Sequence, residues 1–344
     1  MQREREPESN VFDHIRGPLK SANYELGALQ AIAQYDIATA LSSGPMTADQ
    51  LASLTDGINP QRLYRALRFL SVVGKYVELD TESHAFTLTK RGEELLPDHP
   101  GGAHFELMST GSDEVARLLP DTLRSDVPSA FFLHTGMTHW QFLQENPDQS
   151  RLFDKKMEAI LQPVLPFIEE NIDGSDYEEI IDIGGGNGTL LKALRKRYPD
   201  LPLRLFDLPD VVKNAAFDLA ERGISMYEGN FSDVDHIPDF DAQTCLVMSR
   251  VLHDWSDEDA IVILKNLKSK SRKDTELKVF EMVMREEDLS PAVAVRDMTM
   301  MLLYGDARER TLDDFERLFE ASGWKVQEVI TGPQSHVAIT IIPQ

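Results

Sequence analysis

Short apolar runs alternate with amphipathic segments along the second half of the chain. The apolar runs predict β-strands, which span residues 179–183, 203–206, 225–227, 244–248, 277–280, 325–329 and 337–342. The amphipathic segments predict helices over residues 189–197, 211–222, 257–267 and 312–322. Alternation of this kind is typical of a parallel sheet with helices on both faces. Because no helix separates the last two strands, we expect a hairpin that adds an antiparallel edge strand.

The N-terminal part of the chain follows a different pattern. Apolar residues at helical spacing run through residues 17–41, and Thr47 is placed to cap a short helix after them. Asn59 and Pro60 begin a second helix, and a hairpin around residues 80–84 comes next. Helix, helix and hairpin in this order predict a winged helix.

These patterns divide the chain into three parts. Residues 1–100 form the winged-helix-like domain, and residues 173–344 form the domain with the parallel sheet. Residues 101–172 are predicted to be a mostly helical linker interrupted by prolines. The large apolar side chains of this linker are either plain core or part of a pocket wall, and their spacing does not decide between the two.

Composition narrows the class of protein. The chain of 344 residues carries a formal net charge of −23, which disfavours nucleic acid and anionic membranes as partners. Arg62, Arg65 and Arg68 nevertheless lie near one face of the second predicted helix, so a DNA-binding winged helix stays open as an alternative. The single cysteine, Cys245, excludes an internal disulfide and a metal–thiolate cluster. With no apolar signal segment or membrane-spanning run, we expect a cytoplasmic protein.

A glycine-rich turn follows the first strand of the sheet. Gly184, Gly186 and Gly188 form a G-x-G-x-G pattern between the apolar run and a helix. Glycines allow a tight turn and a close approach of the backbone to a ligand, and the helix directs its N–H groups toward that ligand. Thr189 stands where the dinucleotide fingerprint has Gly or Ala. The turn therefore favours a nucleotide-like cofactor smaller than a dinucleotide.

Polar residues follow the ends of the next strands. Asp207 ends the second strand, Asn230 and Phe231 follow the third, and Glu281 ends the fifth. These positions share the carboxyl edge of an open parallel sheet, where ligands bind. Asp207 is placed to accept both hydroxyls of a ribose, or else to cap the next helix. Asn230 and Phe231 are placed to hold an adenine ring, or else they form a simple turn.

His253 follows the fourth strand and lies just before a helix that starts at Ser256. A histidine at this edge can remove a proton near neutral pH. A carboxylate such as Glu281 or Glu309 is expected to hold its other ring nitrogen and to stabilise the imidazolium.

Taken together, these motifs resemble the class I S-adenosylmethionine-dependent O-methyltransferases of the plant caffeate and hydroxyindole type. The stretches that carry the resemblance are Asp182-Ile-Gly-Gly-Gly-Asn-Gly188, Phe206-Asp-Leu-Pro209, Gly229-Asn-Phe231, Ser249-Arg-Val-Leu-His-Asp-Trp255 and Arg308-Glu-Arg-Thr311. The resemblance covers nearly the whole chain. It implies a Rossmann-like sheet of seven strands, and it implies a homodimer formed through the N-terminal winged-helix domain.

The resemblance also implies a role for each matching position. His253 is the general base, with Glu281 and Glu309 beside it. The cofactor, S-adenosylmethionine, is contacted by Gly184, Gly186, Asp207, Leu208, Asn230, Phe231 and Arg250. The cofactor or substrate pocket is shaped by Phe153, Met157, Trp255 and Met300. No metal is implied.

Two positions depart from the family pattern. Asn230 replaces the usual aspartate, and an amide can still bond adenine. Asp306 and Ala307 replace the usual pair of glycines beside the substrate pocket, which leaves the size and polarity of the substrate open.

The sequence therefore predicts an enzyme that methylates a hydroxyl of a small phenolic or polyketide-like molecule. The reacting oxygen must be aligned with the methyl group, shielded from water and relieved of its proton. Two alternatives remain. The first is a relative that binds the same cofactor and catalyses hydroxylation, decarboxylation or pericyclic chemistry. The second is a non-enzymatic winged helix that binds DNA or protein and is fused to a sensing domain.

Overall fold

A computed structural model describes residues 13–55, 57–109, 112–124, 127–240 and 243–344. Internal contacts divide the chain into two compact units, Met1–Ser109 and Thr110–Gln344. The predicted boundaries at residues 100 and 172 thus stay predictions. In the part of the chain that the structure describes, no helix is both long and apolar enough to cross a membrane.

The first unit contains five α-helices and three short strands among its described residues. In chain order these are α1 (Asp13–Gln34), α2 (Ile37–Ser42), β1 (Met46–Thr47), α3 (Ala48–Ser53), α4 (Pro60–Val72), β2 (Val77–Leu79), β3 (Ala85–Leu88) and α5 (Ala103–Met108). The predicted hairpin is confirmed, because β2 pairs antiparallel with β3. Strand β1 adds a third, antiparallel member that the sequence did not indicate. Classification of this unit as a winged helix remains a prediction.

Local capping explains where these helices begin. Thr47 accepts a hydrogen bond from the backbone of Gln50, whose side chain bonds back to Thr47. The side chain of Asn59 caps α4, and Pro60 takes the first helical position. The helical spacing predicted over residues 17–41 extends over two helices, α1 and α2, because Asp36 adopts a left-handed backbone with φ of 52°. A right-handed helix cannot continue through such a residue.

The second unit contains the predicted sheet. Its helices are α6 (Ser112–Ala116), α7 (Leu119–Thr122), α8 (Ala130–Thr135), α9 (His139–Glu145), α10 (Pro147–Leu161), α11 (Leu165–Glu170), α12 (Thr189–Arg197), α13 (Pro209–Glu221), α14 (Asp257–Lys270), α15 (Pro291–Tyr304) and α16 (Leu312–Ser322). Its strands are β4 (Glu179–Ile183), β5 (Leu203–Asp207), β6 (Ser225–Glu228), β7 (Thr244–Ser249), β8 (Glu276–Met282), β9 (Trp324–Thr331) and β10 (His336–Pro343).

The strand order is β6-β5-β4-β7-β8-β10-β9, and β4 to β8 pair in parallel. The predicted hairpin of the last two strands is confirmed, and it adds the edge strand β9, which pairs antiparallel with β10. Strand β10 runs opposite to the parallel strands and lies between β8 and β9. Burial explains the order. Strand β10 is a nearly continuous buried run, whereas β9 is mostly exposed and therefore suits the edge.

Helix α15 was not predicted from the sequence. Its start carries the usual signals, since Pro291 takes the first turn and the side chain of Ser290 accepts a hydrogen bond from the backbone of Val293. The apolar residues of α15 do not form a clear stripe, so periodicity did not reveal the helix. Its position matters because Met300 and Tyr304 both belong to it.

The core lies on both faces of the sheet, as expected from side chains that alternate along a strand. On β4, Ile181 packs in the cluster that includes residues of α14 and α16. Its neighbour Ile180 packs in the cluster that includes residues of α11, α12 and α13. Cys245 is buried in the second cluster, and burial raises the pKa of its thiol to about 12, so it is an unreactive core residue.

Candidate active site

A cavity of about 310 Å³ opens at the carboxyl ends of β4, β5 and β7. Every residue predicted to contact the cofactor lines it: Gly184, Gly186, Asp207, Leu208, Asn230, Phe231 and Arg250. Three residues of the predicted pocket wall line it as well: Phe153, Met157 and Trp255. Met300 is buried in α15 and is not part of the lining. The edge position follows the rule for open parallel sheets.

The glycine turn combines tight packing with open space. Gly184 and Gly186 have φ of 73° and 59°, which side chains rarely tolerate. A Cβ atom on Gly185 would lie 2.4 Å from an Asp182 oxygen. A Cβ atom on Gly186 would meet no atom within 4 Å. The space beside the Cα of Gly186 is therefore open to the close approach of a ligand.

Asp207 is joined to this turn. One carboxylate oxygen accepts a hydrogen bond from the backbone N–H of Gly186 at 2.8 Å, and the other accepts from Leu208 at 2.7 Å. Helix α13 begins after Leu208 without a side-chain cap, so Asp207 does not cap it. Burial raises the pKa of Asp207 to about 6. The remaining lone pairs of its carboxylate can accept from a bound ligand.

Further carboxylates line the same cavity, among them Asp182 and Asp154, neither of which was predicted as a site residue. Burial, with Asp207 as a second cause, raises the pKa of Asp182 to about 7 and that of Asp154 to about 6. Asp182 lies at the end of the first strand, a visible signal, whereas Asp154 lies inside α10 with no local signal. A cavity with this many acidic groups suits a ligand that carries positive charge.

His253 lies in a short 3₁₀ turn, Leu252–Asp254, which is separated from the end of β7 by two residues. Its Nδ1 is 2.8 Å from Oε1 of Glu309, and its Nε2 is 3.5 Å from Oδ1 of Asp254. His253 is only 4% exposed, and burial lowers the pKa of its ring from the usual 6.5, so the imidazole is neutral at neutral pH. His253 itself is not part of the cavity lining, but its neighbours Asp254 and Trp255 are.

The two glutamates beside His253 make different contacts. Glu309 bonds the ring, as described, and burial raises its pKa to about 7. Glu281 accepts from the backbone N–H groups of Val251 and Leu252 at 3.0 and 2.8 Å through Oε1. Its other oxygen, Oε2, is 3.8 Å from Nδ1 of His253. Glu281 therefore acts mainly on the loop, and Glu309 acts on the ring.

Aromatic rings form one wall of the cavity. Trp140 stacks on Trp255, with ring centres 6.4 Å apart, and on Tyr304, with ring centres 5.4 Å apart. Phe153 meets Trp140 edge to face, and Phe231 meets Trp255 in the same way. Trp140 comes from the helical segment before the sheet, where sequence spacing gave no signal for a site.

Arg250 lines the cavity and directly follows β7. It has a left-handed φ of 58°, an uncommon conformation for a residue with a side chain, and its N–H donates to the carbonyl of Phe280. Burial lowers the pKa of its guanidinium to about 10, so the side chain stays charged at neutral pH. Such strained residues tend to occur at functional sites.

The structure describes the surroundings of both departures from the family pattern, Asn230 and the pair Asp306-Ala307. Oδ1 of Asn230 accepts from the backbone N–H of Ser232 at 2.9 Å, which turns the amide N–H₂ away from that backbone. Ala307 is 3% exposed and Asp306 is exposed.

Comparison with known proteins agrees with this geometry. The sequence profile of the O-methyltransferase domain matches residues 117–325. The phenazine O-methyltransferase PhzM of Lysobacter antibioticus is 29% identical over 306 residues, which cover 88% of this chain and 88% of that protein. The mitomycin biosynthesis 6-O-methyltransferase of Streptomyces lavendulae is 28% identical over 327 residues, covering 93% and 90%.

A solved structure gives the same picture. An O-methyltransferase from neocarzinostatin biosynthesis, in complex with S-adenosyl-L-homocysteine and 1,4-dihydroxy-2-naphthoic acid, aligns with a TM-score of 0.78 at 26% identity. The alignment covers 93% of this chain and 96% of that chain.

Fold and site together define a class I methyltransferase. The chain belongs to the O-methyltransferase family, and it is an S-adenosylmethionine-dependent O-methyltransferase of small-molecule secondary metabolism. The resemblance seen in the sequence is thereby confirmed. The acidic cavity and the open space beside Gly186 fit this cofactor, whose sulfonium carries a positive charge.

Proposed function

We propose that the enzyme methylates a hydroxyl group of a small, flat aromatic molecule, with His253 as the general base. The observation that carries this proposal is the buried hydrogen bond between Nδ1 of His253 and Glu309 at 2.8 Å. It leaves Nε2 as the free nitrogen, next to Asp254 on the cavity wall.

The glycine turn and Asp207 would hold the cofactor. When bound, S-adenosylmethionine supplies an electrophilic methyl group on its sulfonium. Nε2 of His253 takes the proton of the acceptor hydroxyl, so that the oxygen becomes more nucleophilic. Glu309 keeps a proton on Nδ1 and balances the charge of the imidazolium that forms. The aromatic wall and the buried surroundings exclude water from the reacting groups.

The aromatic wall supports a flat acceptor. Trp140 and Trp255 lie nearly parallel, at 15° to one another, and Phe153 stands at 89° to Trp140. Such faces favour offset stacking and edge contacts with a planar ring. The neocarzinostatin O-methyltransferase was solved with a dihydroxynaphthoic acid. We therefore propose phenolic and polycyclic hydroxy-aromatics as the acceptor class.

The reaction is tested by mass spectrometry of products formed from S-adenosylmethionine and a panel of phenols, naphthols and hydroxyphenazines. We expect one of these acceptors to gain a single methyl group on oxygen, with S-adenosyl-L-homocysteine released in equal amount. Aliphatic alcohols of similar size serve as the control and should gain none. Conversion of an acceptor without methyl gain would contradict the proposal and would indicate that the cofactor serves another reaction.

We also propose that the N-terminal unit carries the homodimer interface that the family resemblance implies. Large apolar side chains are exposed on this unit, among them Leu19, Tyr24 and Val72 at 60%, 62% and 71%. Exposed apolar surface of this kind commonly marks an association site. Light scattering should give about twice the chain mass of 38.8 kDa. A mass near that of one chain would contradict the proposal, as would a Tyr24→Lys variant with unchanged mass.

A further inference from the structure

The backbone of the loop that carries His253 is hydrogen-bonded by the side chains of two other residues, Glu281 and Arg310. The N–H groups of Val251 and Leu252 both donate to one carboxylate oxygen of Glu281. The backbone carbonyls of Leu252 and Trp255 accept hydrogen bonds from the Arg310 guanidinium at 2.6 and 2.8 Å. The two carbonyls bracket His253, one before it and one after it.

Every nitrogen of the Arg310 guanidinium has a partner. Nη1 and Nη2 bond the two carbonyls, and Nε donates to Asp257 at 2.9 Å. Arg310 is 1% exposed, so these bonds are shielded from water. A buried guanidinium with all its nitrogens paired has little freedom to move, because each lost bond would leave a buried polar group unsatisfied.

Arg310 directly follows Glu309 in the chain, and this segment is itself fixed. The carbonyl of Arg310 accepts from the N–H of Met284, and the N–H of Glu309 donates to Asp297. Two neighbouring residues of one segment thus hold His253 in different ways. Glu309 bonds the ring, and Arg310 bonds the backbone that carries the ring.

We propose that Arg310 is a positioning residue for methyl transfer. It fixes the position of the His253 loop relative to the segment that carries Glu309. Nδ1 thereby stays within hydrogen-bonding distance of the glutamate, and Nε2 stays directed to the cavity wall. Small displacements of a reacting group cost large factors in rate. The proposal rests on the proposed role of His253 as the general base.

Arg308 provides a matched control. It also pairs with Asp257, at 2.8 Å, and it lies two residues away in the same segment. It makes no contact with the carbonyls of Leu252 and Trp255 among the hydrogen bonds of the described residues. Its side chain is 42% exposed, whereas that of Arg310 is fully buried. Substitution of Arg308 therefore removes its own ion pair with Asp257 and leaves the bonds of Arg310 to the loop in place.

The experiment compares Arg310→Met, Arg310→Lys and Arg308→Met in steady-state assays with the full-length enzyme and the best acceptor of the panel. We expect Arg310→Met to lower kcat about 10-fold while KM for S-adenosylmethionine stays within about 2-fold of wild type. Arg310→Lys, which keeps the charge without the fork of donors, should recover part of this loss. Arg308→Met should keep the wild-type kcat. Binding of S-adenosyl-L-homocysteine by calorimetry should be unchanged in all three.

Equal kcat values for the Arg310 and Arg308 variants would overturn the proposal. So would parallel losses of kcat and of S-adenosyl-L-homocysteine affinity, which indicate general loosening of the site. If Arg310→Met does not fold, Arg310→Lys against Arg308→Lys makes the same comparison, and equal kcat values again overturn it. Failure of the proposed function looks different, because a His253→Ala enzyme would then turn over near the wild-type rate whatever the Arg310 variants do.

Discussion

Replacing His253 with alanine is expected to lower the rate of methyl transfer about 1,000-fold, since a positioned general base contributes roughly 100- to 10,000-fold. The imidazole is buried and neutral, and Glu309 fixes its Nδ1, so Nε2 is the nitrogen that can take a proton. Residues 251–255 contain no other basic nitrogen. Affinity for S-adenosyl-L-homocysteine should change little, because His253 is not part of the cavity lining.

The measurement is single-turnover methyl transfer followed by mass spectrometry, with calorimetry of S-adenosyl-L-homocysteine binding on the same preparations. His236→Ala is the matched control, because His236 follows β6 on the same edge of the sheet and its side chain is 54% exposed. The control should keep the wild-type rate. A His253→Ala enzyme with a rate within about 10-fold of wild type would exclude His253 as the base.

Replacing Glu309 with glutamine is expected to lower kcat about 100-fold at about pH 8 and to remove an acid limb from the pH profile. Burial raises the pKa of Glu309 to about 7. Above that pH its carboxylate accepts from Nδ1–H, and Nε2 is free to take a proton. Below it the carboxyl is protonated and donates to Nδ1, which places the ring proton on Nε2 and abolishes the base. The wild-type rate should therefore fall as the pH drops through about 7.

Glutamine does not titrate, so the limb near pH 7 should be absent from the Glu309→Gln enzyme. Any remaining loss should come at lower pH, because burial lowers the pKa of His253 itself. Glu276→Gln is the control, since Glu276 lies at the start of β8 and accepts from the hydroxyl of Tyr177. A Glu309→Gln enzyme that keeps both the wild-type rate and the limb near pH 7 would contradict the proposed role.

The roles of the two glutamates show where sequence reasoning reaches its limit. Both were expected beside His253, and both are there. The sequence could not show which glutamate bonds the ring of His253 and which bonds the backbone of its loop. Glu281 lies at the end of β8 and Glu309 follows α15, so these contacts are decided only by the packing of the two segments. The role of Arg310 was not predicted for the same reason. No local pattern indicates that its guanidinium bonds the carbonyl of Leu252, which lies more than fifty residues earlier in the chain.

The sequence by itself determined the parallel sheet, the glycine turn and the polar residues at the strand ends. These depend on local periodicity, on backbone conformations that require glycine, and on the rule that parallel strands end at one edge. Only the tertiary structure decided that β10 lies inside β9, that Trp140 joins the cavity wall, and that Asp154 adds a carboxylate beside Asp207. These features depend on contacts between segments far apart in the chain, where the burial of apolar surface and the pairing of buried polar groups act together.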